Sequence, residues 1–122
     1  MLTILNDLAT FKEKVNLYIY EVKKGTKPVC LFTTPIEHKD EITHIITSAG
    51  LVCKTVEMTR NVNYFFSLPE NENCIDAIMS IINNRKVSEL TLIEDILVGF
   101  FLGYSAKVQA KRYKTRVVVN KV

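Results

Sequence analysis

The residues able to do chemistry are few and scattered. His38 and His44 stand six apart, so on one helix their side chains point about 120° from each other and cannot share a metal. No cysteine or histidine pair has zinc-ligand spacing, and neither HExxH nor CxxC occurs. Cys30, Cys53 and Cys74 are an odd set without a close pair, which argues against a disulfide scaffold and for reduced thiols. Cys74 has a case for reactivity, because the first turn of a helix favours a thiolate. Glu70, Glu72 and Asp76 oppose that effect, so Cys74, like Cys30 and Cys53, reads as a small core residue. The acidic pairs Asp40-Glu41 and Glu94-Asp95 splay apart on helices, and no GxGxxG or Walker loop is present. With no nucleophile, base and orienting group in view, the chain is expected to be no enzyme and to need no cofactor or metal.

Cations give a stronger signal. The 122 residues carry 16 Lys and Arg against 13 Asp and Glu, a net charge of +3. Residues 105–122 hold Lys107, Lys111, Arg112, Lys114, Arg116 and Lys121 and no acid, while the first 104 residues hold ten bases and all thirteen acids. A slightly acidic body with a basic end points to an anionic partner, either nucleic acid or an acidic protein surface. Lys111-Arg112-Tyr113-Lys114-Thr115-Arg116 interleaves one aromatic with four cations, which suits phosphate contacts and stacking on a base. The candidate contact residues are Lys107, Lys111, Arg112, Tyr113, Lys114 and Arg116. Gly99 and Gly103, four apart, let another backbone approach and are the candidates for close helix packing.

Around those glycines, Gly99-Phe100-Phe101-Leu102-Gly103-Tyr104-Ser105 resembles a helix-turn-helix. In that family a small residue in the first helix is followed four later by a turn glycine, then an apolar residue, often a serine, and a basic recognition helix. Gly99, Gly103, Tyr104 and Ser105 match in that order, within residues 94–114. The resemblance implies that Lys107, Gln109, Lys111 and Arg112 face DNA. The family normally buries apolar residues about six and about nine positions after the turn glycine, where this chain has Gln109 and Arg112. A packed motif would have to shift register to hide Val108 and Tyr113. The preferred expectation is one long helix through Gly103, with Tyr104 and Val108 on one stripe.

Periodicity supplies the elements that must position these groups. Apolar residues recur every three or four from Leu5 to Val22, predicting a helix over 5–23 closed by Lys23, Lys24 and Gly25. Val29–Thr33 predicts a buried strand. Thr34-Pro35-Ile36-Glu37 then reads as a capping box that opens a helix with Ile42, Ile45, Ile46 and Ala49 as its buried stripe. Leu51–Met58 and Val62–Leu68 predict a hairpin, with Asn61 in a left-handed turn and Val62, Tyr64, Phe66 and Leu68 on one face. Pro69 opens a third helix to about Asn84, with Ile75, Ile78, Ile81 and Ile82 as its stripe. Thr91-Leu92-Ile93-Glu94 repeats the capping-box pattern ahead of a last helical region whose apolar face is Ile93, Ile96, Leu97, Phe100 and Tyr104. Arg116–Asn120 is read as an edge strand or a free tail. The expected fold is α+β in the order α-β-α-β-β-α-α, with helices against one face of a small sheet of about three to four strands. It is read as one compact domain over 1–122 with a basic C-terminal segment at 105–122.

Apolar residues make up 48% and charged residues 24%, as in ordinary globular chains. The longest uncharged apolar stretch, Ile96 to Tyr104, falls well short of the roughly 20 residues a bilayer core requires. The first residues lack the basic region and cleavage site of a signal peptide. A cytoplasmic location away from membranes is expected. Lysine outnumbers arginine twelve to four, a bias that often follows an AT-rich genome such as that of a virus or mobile element. The expected function is binding rather than catalysis: a small regulatory protein of viral or mobile-element accessory type that engages a host protein. Tyr18, Tyr20, Tyr64 and Phe65 are its candidate anchors for that partner or for a second copy in a homodimer. The alternative is a DNA- or RNA-binding regulator using the basic C-terminal helix.

Overall fold

The computed structural model describes residues 8–83 and 85–120, so expectations resting on Leu5, Asn84 and Lys121 lie outside the described residues. The order is α1 (Leu8–Lys23), β1 (Cys30–Pro35), α2 (Lys39–Ser48), β2 (Val52–Glu57), β3 (Asn61–Ser67), α3 (Glu72–Ile82), α4 (Leu92–Phe101) and α5 (Ala106–Asn120). The fold is α+β, with three strands among the described residues, the lower end of the expected three to four. Strand β3 lies between β1 and β2 and pairs antiparallel with both. The unit β1-α2-β2 therefore has two parallel strands held apart by the return strand of the hairpin.

That central position follows from the sequence of β3. Tyr64, Phe65 and Phe66 are consecutive, and because strand side chains alternate, both faces of the sheet receive aromatic rings. On one face Cys30, Phe32, Val62, Tyr64 and Phe66 pack under Val15, Ile19 and Val22 of α1 and Ile42 and Ile46 of α2. On the other, Phe65 packs with Val29, with Ile75, Ile78 and Ile82 of α3, with Leu90, with Val98 of α4 and with Leu102 just after it. Helices thus cover both faces, not one. Phe65, the residue outside the Val62-Tyr64-Phe66 alternation, is the sequence signal for the second layer. Tyr64 and Phe65 are accordingly core residues and no anchors, and Tyr18 stacks edge-on against Phe32 with ring centroids 5.5 Å apart. Tyr20 is exposed.

Three local expectations are corrected. Thr34 does not cap a helix: it is the fifth residue of β1, paired with Val62, and its side chain enters the core. There the Tyr64 hydroxyl lies 2.7 Å from Thr34 Oγ1, which itself donates to the Pro35 carbonyl at 2.9 Å. A 3-10 turn over Ile36–His38 without a side-chain cap leads into α2 instead. Asn61 is the first residue of β3, and the left-handed non-glycine among the described residues is Asn83, φ 43°, which ends α3. Arg116–Asn120 continues α5 and is neither strand nor free tail.

The buried hydroxyl pair gives a test. Thr34→Val keeps the shape but leaves the Tyr64 hydroxyl without its partner, and should destabilise the protein by about 1–3 kcal/mol. Adding Tyr64→Phe should recover part of that loss, because no buried donor is then left unmatched. Urea unfolding of both single variants and the double variant checks this, and additive losses would contradict it.

Candidate functional site

The candidate residues converge on α4, the turn after it, and α5. Helix α4 begins as its sequence predicts. Thr91 Oγ1 accepts from the Glu94 N–H at 3.2 Å, and Glu94 Oε1 accepts from the Thr91 N–H at 2.9 Å, a reciprocal capping box. The same carboxylate takes two hydrogen bonds from the Arg85 guanidinium, at 3.0 and 2.7 Å. Arg85, and then the Thr91 N–H, hold the Glu94 carboxyl down to about 2, against an ordinary value of 4.5. Because the folded value lies below the unfolded one, this stabilisation is complete above pH 4.5 and is lost as pH falls towards 2. Glu94→Gln should flatten the acid limb of stability across that window in urea titrations taken at several pH values.

The end of α4 departs from the continuous helix. Gly103 has φ +80°, its N–H donates to the Phe100 carbonyl at 3.0 Å, and the Tyr104 N–H reaches back to the Gly99 carbonyl at 3.0 Å. These two bonds form a Schellman stop with Gly103 in the left-handed position. Ser105 then accepts from the Val108 N–H at 3.2 Å, so a serine hydroxyl satisfies the first turn of α5. The chain therefore forms two helices joined by Leu102-Gly103-Tyr104-Ser105. Glycine and serine at that spacing stop one helix and start another.

The register is also not the shifted one. Val108 and Tyr113 stay exposed, while Gln109, Arg112 and Arg116 turn inward on one stripe of α5. Gln109 Nε2 donates to the Ile96 carbonyl at 2.7 Å, and Arg112 donates to Gln109 Oε1. Asp95, 5% exposed, sits between two guanidiniums, with Arg112 Nη2 at 2.6 Å and Arg116 Nη1 at 3.3 Å. Arg116 Nη2 also donates to the Leu90 carbonyl at 2.7 Å. Gln109 and Arg112, at the two positions where the helix-turn-helix family places apolar residues, thus turn inward as polar groups, Arg112 onto a buried carboxylate. Gly99 makes this contact fit, since a Cβ there would collide with the Arg112 and Gln109 side chains. Gly103 packs against Pro28 rather than α5, so the two glycines serve separate contacts.

This geometry divides the sequence-selected cations into two sets. Arg112 and Arg116 are engaged with Asp95 and hold the hairpin together. Lys107, Lys111 and Lys114 recur at i, i+4 and i+7 on the opposite stripe of α5, exposed, with no ion-pair partner among the described residues. Between the stripes, Lys111, Arg112, Thr115 and Arg116 line an open cleft of about 430 Å³ together with Asp95. Tyr113, half-exposed, lies on the other flank, and the Arg112 guanidinium covers the Tyr104 ring at 5.0 Å.

What the sequence reading missed is the direction of α4. Val98, with Leu102 just past its end, faces the core. Ile93, Leu97 and Phe100, again at i, i+4 and i+7, point outward and are 72%, 42% and 68% exposed. With Leu92, Ile96 and Tyr113, the first two line an apolar groove of about 220 Å³ between α4 and α5. The amphipathic pattern was visible, but periodicity does not say which stripe meets the core.

Burial pushes the Cys30 and Cys53 thiols up to about 11, which disfavours their thiolates. Cys74 packs beside the α3 core, and all three cysteines are free. The His38 ring lies 5.7 Å from Phe11, and His44 Nε2 is 3.4 Å from Ser48 Oγ. Among the described residues, no group of three or more His, Cys, Asp and Glu could hold a metal. Among them, too, no helix is long and apolar enough to cross a membrane.

The molecule is thus an α+β domain, a three-layer core carrying a helical hairpin with a polar interior and an apolar outer face. Residues 13–116 match the DUF2023 family, described as a protein of unknown function, and the chain belongs to that family. A comparison with curated proteins finds no match.

Proposed function

We propose that the protein is a non-catalytic, cytoplasmic binding module that regulates a protein partner by docking it on the α4–α5 hairpin. The observation that carries this reading is the outward apolar stripe of α4. Ile93, Leu97 and Phe100 face water while Leu92, Ile96 and Tyr113 extend the apolar surface towards α5. Contiguous exposed apolar surface of this kind marks interaction sites, and helix residues at i, i+4 and i+7 are a common anchor pattern. Free cysteines support a reducing compartment. Lysine-rich coding agrees with a viral or mobile-element accessory protein and adds nothing to the geometry.

The test is affinity capture from lysate with the wild-type protein, Ile93→Asp, Phe100→Asp and a control, Leu17→Asp, on an exposed apolar residue of α1. A partner retained by wild type and Leu17→Asp but lost with both α4 variants is expected. Equal capture by all four would overturn the reading.

A second reading, a nucleic-acid-binding regulator, is favoured by the break at Gly103 together with the Lys107, Lys111 and Lys114 stripe. The hairpin then presents a basic helix stripe away from the body. Binding of labelled duplex DNA or RNA that weakens steeply with salt and disappears on replacing those lysines with alanine would support it.

A further inference from the structure

We infer that the cleft where Asp95 meets α5 binds a phosphoryl group, borne by a small phosphate monoester or free as phosphate. Lys111, Arg112 and Arg116 line it with Asp95 and Thr115, so its three cations exceed its one acid by two charges. A phosphate monoester carries nearly that charge with opposite sign, about −1.5 to −2 at pH 7. The cleft holds about 430 Å³, within the range of about 300–1,000 Å³ usual for small-molecule sites. That is more than a phosphoryl group fills, and the aliphatic stems of the three cations offer apolar wall to the rest of an ester.

The donors decide the ligand. A guanidinium has five N–H groups. Arg112 spends Nη2 on the Asp95 carboxylate at 2.6 Å and the Asp95 carbonyl at 3.3 Å, and Nη1 on Gln109 Oε1. The Tyr104 ring takes a face of the same guanidinium and leaves its edge for hydrogen bonds. Arg116 spends Nη2 on the Leu90 carbonyl at 2.7 Å and sets Nη1 3.3 Å from Asp95 Oδ2. The Nε–H of both arginines and the Lys111 ammonium have no hydrogen-bond or ion-pair partner among the described residues. Thr115 Oγ1 already donates to the Lys111 carbonyl at 2.9 Å, so every side-chain donor left to the cleft is cationic. Such a lining favours an oxyanion over a neutral alcohol or sugar. Asp95, buried at 5% exposure, fixes both guanidiniums before a ligand arrives and so lowers the ordering cost of binding. A nucleic acid would present singly charged diesters, and Lys107 and Lys114 of the outer stripe do not line the cleft. The site therefore suits a small phosphate and is independent of the apolar docking face.

Phenyl phosphate and inorganic phosphate are the probes, with dimethyl phosphate as the diester. Each is titrated near neutral pH and at constant ionic strength into the whole chain, and amide chemical shifts are followed. Saturable shifts are expected at Asp95 and over residues 111–116. Lys111 is exposed, so Lys111→Ala should fold normally and weaken binding about tenfold or more, the scale of one charge-assisted hydrogen bond. Lys54→Ala, which removes an exposed cation of β2, should leave binding unchanged. Phenyl phosphate binding more tightly than phosphate assigns the site to an ester, and the reverse assigns it to the free ion; either supports a phosphoryl site. Shifts spread along Lys107, Lys111 and Lys114, with equal weakening in Lys107→Ala and Lys111→Ala, would overturn it in favour of diffuse attraction. Dimethyl phosphate binding as tightly as phenyl phosphate would give the cleft to a nucleic-acid backbone instead. No saturable shift with either phenyl phosphate or phosphate would overturn the site outright.

Discussion

Asp95→Asn is expected to loosen α5 from the rest of the protein. The side chain is 7% exposed, and it alone neutralises two guanidiniums, Arg112 at 2.6 Å and Arg116 at 3.3 Å. The amide keeps the shape but removes the charge, leaving both cations facing a half-buried site without a counter-charge. Breaking a buried pair from one side costs about 3–5 kcal/mol, and both guanidiniums here are about a quarter exposed, so about 2–4 kcal/mol is expected. The loss should be local. Among the described residues the two apolar core clusters draw none from α5, so its amides should lose hydrogen-exchange protection while β3 and α1 keep theirs. Uniform loss across the molecule, or none at α5, would show that other contacts hold the helix.

Gly103→Ala should have the other large effect, for an independent reason. At φ +80° an L side chain is strained, at about 1–2 kcal/mol. The added Cβ would also lie 2.6 Å from Pro28 Cδ, and a proline ring cannot swing aside as a long side chain would. Overpacking typically adds about 1–3 kcal/mol, so a total of about 2–5 kcal/mol is expected by urea unfolding. Gly99→Ala provides the contrast. Its Cβ would meet the far ends of Arg112 and Gln109, which can move, so it should disturb the Asp95 pairing more than global stability. A Gly103→Ala protein as stable as wild type would mean that α4 runs on through the turn.

The two Thr-x-x-Glu patterns show what the sequence alone can convey. Thr91 and Glu94 form the capping box because nothing else competes for the threonine hydroxyl. Thr34 has the same local pattern and a different fate, because Tyr64, thirty residues on, offers a buried hydroxyl and β3 offers a ladder. The competing partner is non-local, so no window around Thr34 contains it. Phe65 was readable as a second-face residue, being the middle of three consecutive aromatic side chains that alternation cannot place on one side.

The hairpin was legible in part. Gly99, Gly103 and Ser105 spell out the close approach, the stop and the restart, and each is used that way. The register was hidden because Gln109 and Arg112 look wrong for an inward stripe until Asp95 is placed opposite them, and that pairing joins residues seventeen apart. The outward stripe of α4 was hidden for another reason. Val98 and Leu102 form a two-residue apolar face beside a richer one at Ile93, Leu97 and Phe100, and composition favours sending the richer face inward. A protein with a surface to present to a partner breaks that preference, and such breaks gather where function is.

The most direct measurement is hydrogen–deuterium exchange of the protein alone and saturated with the partner it captures. The proposed docking face predicts new protection over α4 and α5, within residues 92–117, with α1 and β1 unchanged. Protection confined to α1 around Leu17 and Tyr20, with α4 exchanging as in the free protein, would contradict it.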